Sequence, residues 1–543
     1  MNVIFILSDS LRRDHVGCYG AKDIHTPCID RLAKESAVFD RAYIASYPTV
    51  PNRHDLIIGD CTFTDRGWGT LKPGDVTLPG ILGEHGVVSQ IVFDPPPVHY
   101  GNFMRDFSGW WFTRGHHADA YITDPTIRTP LPGAPYKFKN VGKVRQHLRN
   151  RSSWQYEKDY MAPKTITKAM EWLERNYTRD KFFLWVDVWD PHEPFDPPIH
   201  YLRRYADLKE EVENNIYPCY GRCDYMTEAE LKRVRALYAG EVTMVDTWVG
   251  QLIDTTERLG IRENTLIILM TDHGHLFGEH NLEGKPGGSL GKLYETTTRI
   301  PLIVWHPQGF GSGKRIKEIV QPQDILPTIL DFFEVPIPKT VHGSSILPLI
   351  TEETEAIHKY AFSSRFLASG FHEGLMEAAA QDGWAGPAEA ISPVTVTNER
   401  WALICSPERS MSELYDLDTD PKQQTNLIDR KPDIAEEMRE AFIEFINQMH
   451  VKKEWLDPFL LEISKRECLT PERTLHCIRD DRGKIIAFGT KELARASIAP
   501  QMSHQDIETI SFGSLVDRDP KALIKVHKQF YWAEDLVKKG SRS

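Results

Sequence analysis

The 543-residue chain has no apolar run long enough to cross a bilayer, no internal repeat, no low-complexity tract and no long linker. Those absences argue against a helical membrane protein, a solenoid and a mainly disordered chain. A basic excess is also missing: 65 Lys and Arg stand against 77 Asp and Glu, a formal net charge of −12. No broad face for a nucleic-acid backbone is expected, although local basic pockets are compatible with that balance. Cysteine is sparse. The 8 residues (Cys18, Cys28, Cys61, Cys219, Cys223, Cys405, Cys468 and Cys477) form no CxxC pair, and Cys219 with Cys223 lacks nearby partners for a zinc site. The amino-terminal "MNVIFILSDSLRRDH" has no basic segment before its short apolar run, so reduced thiols and a cytoplasmic location are expected.

What the chain does contain is the composition of a globular protein, 41% hydrophobic and 26% charged, at a length that ordinarily divides into more than one domain. Continuous apolar, β-branched and aromatic runs, "VIFILSD", "VVSQIVFD", "KFFLWVDVWD", "TLIILMTDHG" and "IPLIVWHP", end at polar or turn residues. Between them lie helical patterns such as "TPCIDRLAKESAVFDRAY", with Thr26 as N-cap and Pro27 in the first turn, "APKTITKAMEWLERNY", and the long segment from Glu228 to Gly260. Alternation of this kind predicts an α/β protein with a mainly parallel sheet covered on both faces. The expected organisation is a main α/β domain over 1–390, a small antiparallel sheet with one helix over 391–451, and an extension over 452–543 that packs on the body or on a neighbouring subunit.

In such sheets ligands sit beyond the carboxyl ends of the strands. Asp9, Asp94, Asp190, Asp272 and His273 all fall there. Alone, each reads as a cap or a satisfied loop residue. Together, Asp9, Asp272 and His273 predict a divalent metal site with mixed oxygen and nitrogen ligands, which points to manganese, zinc or iron before calcium.

These segments resemble, in order, those of the sulfatase family within the alkaline phosphatase superfamily. "NVIFILSDSLRRDHVGCYG" is similar to the family's first strand and metal aspartate. "TVPNRHDLIIG" resembles its nucleophile signature, in which cysteine or serine is followed by Pro at the second position and Arg at the fourth. "DPHEPFDPP", "TDHGHLFGEHNLEGK", "LYETTTRIPLIVW", "QPQDILPTIL" and "ELYDLDTDPKQQTNL" continue the match over roughly 1–450. The resemblance implies an α/β/α sandwich with a small carboxy-terminal sheet domain; the mixed ligand set, with Ser10 in place of a carboxylate, leads to the expectation of one metal ion, Mn2+ or Zn2+ favoured over Ca2+. It implies Asp9, Thr49, Asp272 and His273 as metal ligands, and Thr49, Arg53, His192 and Lys285 as catalytic residues. Thr49 stands at a helix start and Arg53, one turn on, points back at the same oxygen.

The departures from the family pattern set the expected chemistry. Cysteine or serine is converted to formylglycine in sulfate-cleaving members, whereas threonine is not a substrate for that conversion. Thr49 is therefore expected to attack directly through its hydroxyl, which suits a covalent phospho-threonine intermediate. Ser10 replaces a second metal carboxylate. Asp94 stands where many members have lysine and His99 is a candidate for the histidine that follows it; both are expected to contact the substrate, with Lys292 as an extra anion contact. "RGHHAD" over 114–119 either lines the pocket or pairs at the surface. Loops 95–155, 199–226 and 365–392, carrying Trp110, Trp111, Arg114 and Tyr121, are expected to set specificity. The leading expectation is a hydrolase of phosphodiesters or phosphonate monoesters. The alternatives are a sulfate-ester hydrolase working with unmodified threonine, and a non-catalytic anion-binding or assembly protein. The expected partners are a small anionic ester and further copies of the chain, with neither nucleic acid nor membrane.

Overall fold

The computed structural model describes residues 1–286, 291–365, 367, 392–406, 411–449 and 451, together with the backbone of short strands between 475 and 532. The chain opens with β1 (Asn2–Ser8), α1 (Pro27–Lys34), β2 (Ala37–Tyr43) and α2 (Thr49–Ile58). It continues through β3 (Val88–Phe93), β4 (Gly109–Phe112), α3 (Met161–Asn176), β5 (Phe182–Val188), α4 (Glu228–Arg258) and β6 (Thr265–Met270). β7 (Arg299–Ile300), β8 (Leu302–Trp305), β9 (Arg315–Val320) and α5 (Ile325–Phe332) complete the body.

Among the described residues the central sheet has nine strands, in the order β7-β2-β8-β6-β1-β5-β3-β4, with β9 also paired to β2. β1 runs parallel to β5 and β6, and β3 parallel to β5 and β4. β8 is antiparallel to both β6 and β2. The expected α/β/α sandwich follows from the side-chain alternation of β1. Val3, Phe5 and Leu7 pack in one core with residues of α2 and α5, and Ile4 and Ile6 in a second with residues of α3 and α4. A strand buried on both faces needs such an uninterrupted apolar run.

One predicted element ends early. Helical spacing carries "TPCIDRLAKESAVFDRAY" through to Tyr43, but α1 stops at Lys34 and Ala37–Tyr43 is strand β2. Val38, Phe39 and Tyr43 suit a pleated surface, and β2 gains ladder partners in β7, β8 and β9 that a continued helix would forgo. Thr26 does not cap α1 either: its hydroxyl accepts the Gly17 amide, and Asp246 of α4 receives the amides of Cys28 and Ile29.

The small four-stranded sheet takes its first strand from before residue 391. Ala361–Ser364 pairs with Val394–Thr397, then Trp401–Cys405 and Glu413–Asp416 follow, all antiparallel. The helix Pro432–Gln448 covers it through Met438, Phe442 and Ile446. Most of the 365–392 loop and of 452–543 lies outside the described residues.

The parallel strands β1, β3, β5 and β6 deliver their carboxyl ends to one edge of the sheet. Gly274, just after His273, is packed so closely that a Cβ there would lie 1.9 Å from the Thr296 carbonyl oxygen. Gly274→Ala is therefore expected to destabilise the fold by about 1–3 kcal/mol and to displace His273. Thermal unfolding measures the first effect and metal titration the second.

Candidate active site

Thr49 is the first residue of α2, and the helix brings Arg53 beneath it on the same face. Ser46 and Thr62 fix the approach to this helix: both hydroxyls and both amides donate to the buried Asp55 carboxylate at 2.7–2.8 Å. The Thr49 Oγ1 lies 3.3 Å from His273 Nε2. His273 Nδ1 donates to the Gly274 carbonyl at 2.9 Å, which leaves Nε2 with its lone pair facing Thr49. Burial, with Lys285 and Arg53 nearby, outweighs Asp272 and lowers the His273 pKa to about 4, so the ring is neutral at neutral pH.

Arg53 is wholly buried, and carboxylates take up most of its donors. Nε and Nη2 form a fork on Asp187 at 2.9 and 2.7 Å, and Nη1 donates to Asp272 at 2.8 Å and lies 3.2 Å from Asp9. The same Nη1 reaches the Thr49 carbonyl at 3.0 Å. This corrects the expectation that Arg53 points at the Thr49 hydroxyl. A guanidinium out of water has to be matched donor by donor, and the carboxylates of β1, β5 and β6 lie closest.

Asp9, Asp272 and His273 each offer a ligand atom, all within 4.8 Å of one another. Burial and the neighbouring Asp272 push the Asp9 carboxyl well above its usual range, and among the described residues its Oδ2 accepts no hydrogen bond. Burial would also raise Asp272, but His273 and Arg53 hold it below the ordinary carboxylate range. Asp9 Oδ2, which accepts no hydrogen bond among the described residues although Arg53 Nη1 lies 3.2 Å away, together with a second carboxylate and a bared imidazole nitrogen, fits a divalent cation with mixed oxygen and nitrogen ligands. Ser10, at φ 62° in the left-handed region, adds no carboxylate but organises the group. Its amide donates to Asp272 at 2.9 Å, its hydroxyl donates to Asp9 at 2.8 Å, and its carbonyl accepts the Tyr238 hydroxyl.

Lys285 Nζ lies 3.4 Å from Ser10 Oγ and donates to Glu193 at 2.9 Å. Burial lowers its pKa, but Glu193 and Asp9 more than offset this, so the ammonium stays charged. His192 Nδ1 donates to the Glu193 carbonyl at 2.6 Å, and burial with Lys285 nearby holds the ring well below its usual pKa. Contacts thus link Thr49, His273, Asp272, Asp9, Ser10, Lys285, Glu193 and His192 into one buried group.

Three expected substrate contacts lie elsewhere. Asp94 is held by the Trp189 amide at 2.6 Å and the Thr165 hydroxyl at 2.8 Å, with His116 between it and Asp190. A buried carboxylate repels an anion, and these partners tie it into the scaffold instead. Lys292 pairs with Glu413 of the small sheet at 2.6 Å, where a carboxylate already meets its charge. His99 is exposed and stacks on Phe112, which follows from its place on a short helix outside the sheet edge.

Sequence reasoning passed over Asp187 and Glu193. The signal for Asp187 was a lone charge inside the apolar run "FFLWVDV", and Glu193 adjoins the histidine of "DPHEP". In "RGHHAD" Arg114 pairs with Asp119 toward the surface, while His116 is buried between Asp94 and Asp190.

A model of the sulfatase family, described as "Sulfatase", matches residues 1–335. The chain belongs to the sulfatase family. Its curated relatives include an arylsulfatase of Clostridium perfringens, 25% identical over 490 residues that cover 83% of this chain and 94% of that protein. Human arylsulfatase K is 24% identical over 488 residues, 82% of each chain. Among solved structures, the phosphonate monoester hydrolase of Agrobacterium radiobacter superposes with a TM-score of 0.65 at 20% identity, covering 83% of this chain and 96% of that one. A structure titled BT4656 in complex with its substrate D-glucosamine-2-N,6-O-disulfate gives a TM-score of 0.60 at 19% identity, with 86% and 99% covered. This sulfatase-family chain is an ester hydrolase, and members of the family generally bind a divalent metal ion. No helix among the described residues is long and apolar enough to cross a membrane.

His116 sits 3.3 Å from Asp190 and 3.6 Å from Asp94; burial opposes its charge, but the two carboxylates prevail and raise its pKa to about 9 from 6.5. Because the folded value is the higher, its contribution is fully present below pH 6.5 and is lost as pH rises through about 9. His116→Asn is expected to destabilise the enzyme by on the order of 3 kcal/mol at about pH 6 and by much less above about pH 9.5, as read from paired melting curves.

Proposed function

We propose that this enzyme hydrolyses phosphodiesters or phosphonate monoesters through a covalent intermediate on unmodified Thr49. The observation that carries the reading is the threonine itself: it occupies the nucleophile position of the family signature, with its hydroxyl 3.3 Å from the bared His273 Nε2. The similarity to phosphonate monoester hydrolases from Agrobacterium radiobacter and Silicibacter pomeroyi supports the same substrate class.

Asp9, Asp272 and His273, with Thr49, would hold one divalent cation, Mn2+ or Zn2+ before Ca2+ because the set has one imidazole and only two carboxylates. Bound there, it would supply positive charge that favours the ionised hydroxyl and offsets charge on the transferred group. In the first step the Thr49 Oγ forms a bond to phosphorus as the bond to the leaving oxygen breaks. The hydroxyl proton passes to water, and water protonates the leaving oxygen on the opposite side of phosphorus, while neutral His192, whose Nδ1–H is committed to the Glu193 carbonyl, keeps Nε2 as a hydrogen-bond acceptor beside the group. In the second step water attacks phosphorus, the bond to Oγ breaks, and Thr49 regains a proton. Lys285, charged and buried, faces the oxygens on which negative charge grows. Arg53 holds the two carboxylates and the first turn of α2 in register.

The curated relatives named above are arylsulfatases, which supports a second reading as a sulfate-ester hydrolase. The two separate on matched aryl phosphodiester, phosphonate and sulfate substrates assayed with added manganese. The diester and phosphonate are expected to turn over faster; sulfate turnover greater by several decades would overturn the first reading. Thr49→Ala is expected to lower kcat on the order of a thousandfold or more. Chelation should abolish turnover, and added manganese or zinc should restore it.

A further inference from the structure

The buried group contains a carboxylate that an anion-binding pocket does not require. Glu193 follows the histidine of "DPHEP" and has no exposed surface. Its Oε2 accepts from Lys285 at 2.9 Å and lies 3.7 Å from His275 Nδ1, while its Oε1 accepts the Tyr220 hydroxyl. Its backbone carbonyl receives both His192 Nδ1 at 2.6 Å and Trp189 Nε1 at 3.2 Å. The residue is thus fixed through main chain and side chain alike, beside the lysine that is the anion's counter-charge.

We propose that Glu193 is the specificity-determining residue that matches this pocket to tetrahedral esters carrying one negative charge and sets it against those carrying two. The inference rests on the reading that the Thr49 pocket cleaves such esters. Within the connected group, Arg53 and Lys285 face Asp9, Asp187, Asp272 and Glu193. The formal sum is two negative charges, which one divalent cation cancels. Lys139 and Arg365 stand one ring further out, over the faces of Tyr220 and Tyr47. A monoanion gains the directed hydrogen bonds of Lys285 without an excess of its own charge. A dianion brings a second charge into a dry site whose lysine is already shared with a carboxylate. Replacing Glu193 by glutamine keeps the shape and an acceptor for Tyr220 but frees the full charge of Lys285.

The test compares methyl 4-nitrophenyl phosphate, a monoanion, with 4-nitrophenyl phosphate, a dianion above its second pKa near 6, on the manganese-loaded full-length enzyme and its Glu193→Gln variant. The wild type is expected to favour the diester in kcat/KM. The variant is expected to shrink that ratio by roughly tenfold or more, the equivalent of one pKa unit of charge interaction, with the dianion gaining relative to the monoanion. A loss of equal size on both substrates would mark Glu193 as merely structural and overturn the proposal. If the variant does not fold, the wild type still decides through competitive inhibition by methyl methylphosphonate and by methylphosphonate, measured above the second pKa of methylphosphonate so that it is a dianion: equal or tighter binding of the dianion overturns the proposal, and at least roughly tenfold tighter binding of the monoanion supports it. Should 4-nitrophenyl sulfate prove the best substrate, the phosphoryl reading of Thr49 falls. The role of Glu193 is then judged on the ratio of sulfate, also a monoanion, to phosphate monoester.

Discussion

A fully buried guanidinium has to find a partner for its donors without water, and meeting that demand for Arg53 fixes much of the site. The fork on Asp187 ties α2 to β5, the bond to Asp272 ties it to β6, and the proximity of Asp9 brings in β1. Three strands and a helix start are thereby locked in register around the Thr49 hydroxyl. Burial raises the Asp187 pKa to about 6 even with Arg53 bound to it, which shows how strongly the surroundings disfavour charge. Removing one partner from such a set leaves an unmatched buried charge, ordinarily a loss of about 3–5 kcal/mol.

The same dryness governs the chemistry. Asp9 and Asp272 repel each other, and Arg53 alone does not hold both in their ordinary ionised range. The site therefore favours a further cation at their common face, where His273 presents a bare nitrogen. Around Lys285 the balance is equally narrow: its charge is shared with Glu193, and the neutral rings of His192 and His273 add none. On the proposed reading, such a site responds more to the charge of an ester than to the identity of its central atom. That offers a physical reason why sulfate monoesters, phosphodiesters and phosphonate monoesters are the compounds to weigh for one fold.

Much of this was legible in the chain. Apolar runs ending in Asp9, Asp94, Asp190 and Asp272 gave away a parallel sheet with a polar edge, and "TVPNR" with "TDHG" identified the residues that meet there. Less visible was anything decided by partners distant in sequence. Val38 and Phe39 sit at helical spacing, yet β2 forms because β7, β8 and β9 offer it ladders from more than 200 residues away. Asp94 lies at the proper edge but turns to Thr165, Trp189 and His116, and Lys292 is taken by Glu413. Asp187 and Glu193 matter through the buried cations they meet, Arg53 and Lys285, which no local pattern announces.

The central claim is that Thr49 forms a bond to the substrate, and stereochemistry at phosphorus tests it without requiring an intermediate to accumulate. Each in-line displacement inverts the centre, so attack by Thr49 followed by attack by water returns the original configuration. Hydrolysis of a chiral aryl phosphorothioate diester in oxygen-18 water, analysed by phosphorus NMR, is predicted to proceed with net retention. Net inversion would mean that water attacks directly and would contradict a covalent role for Thr49.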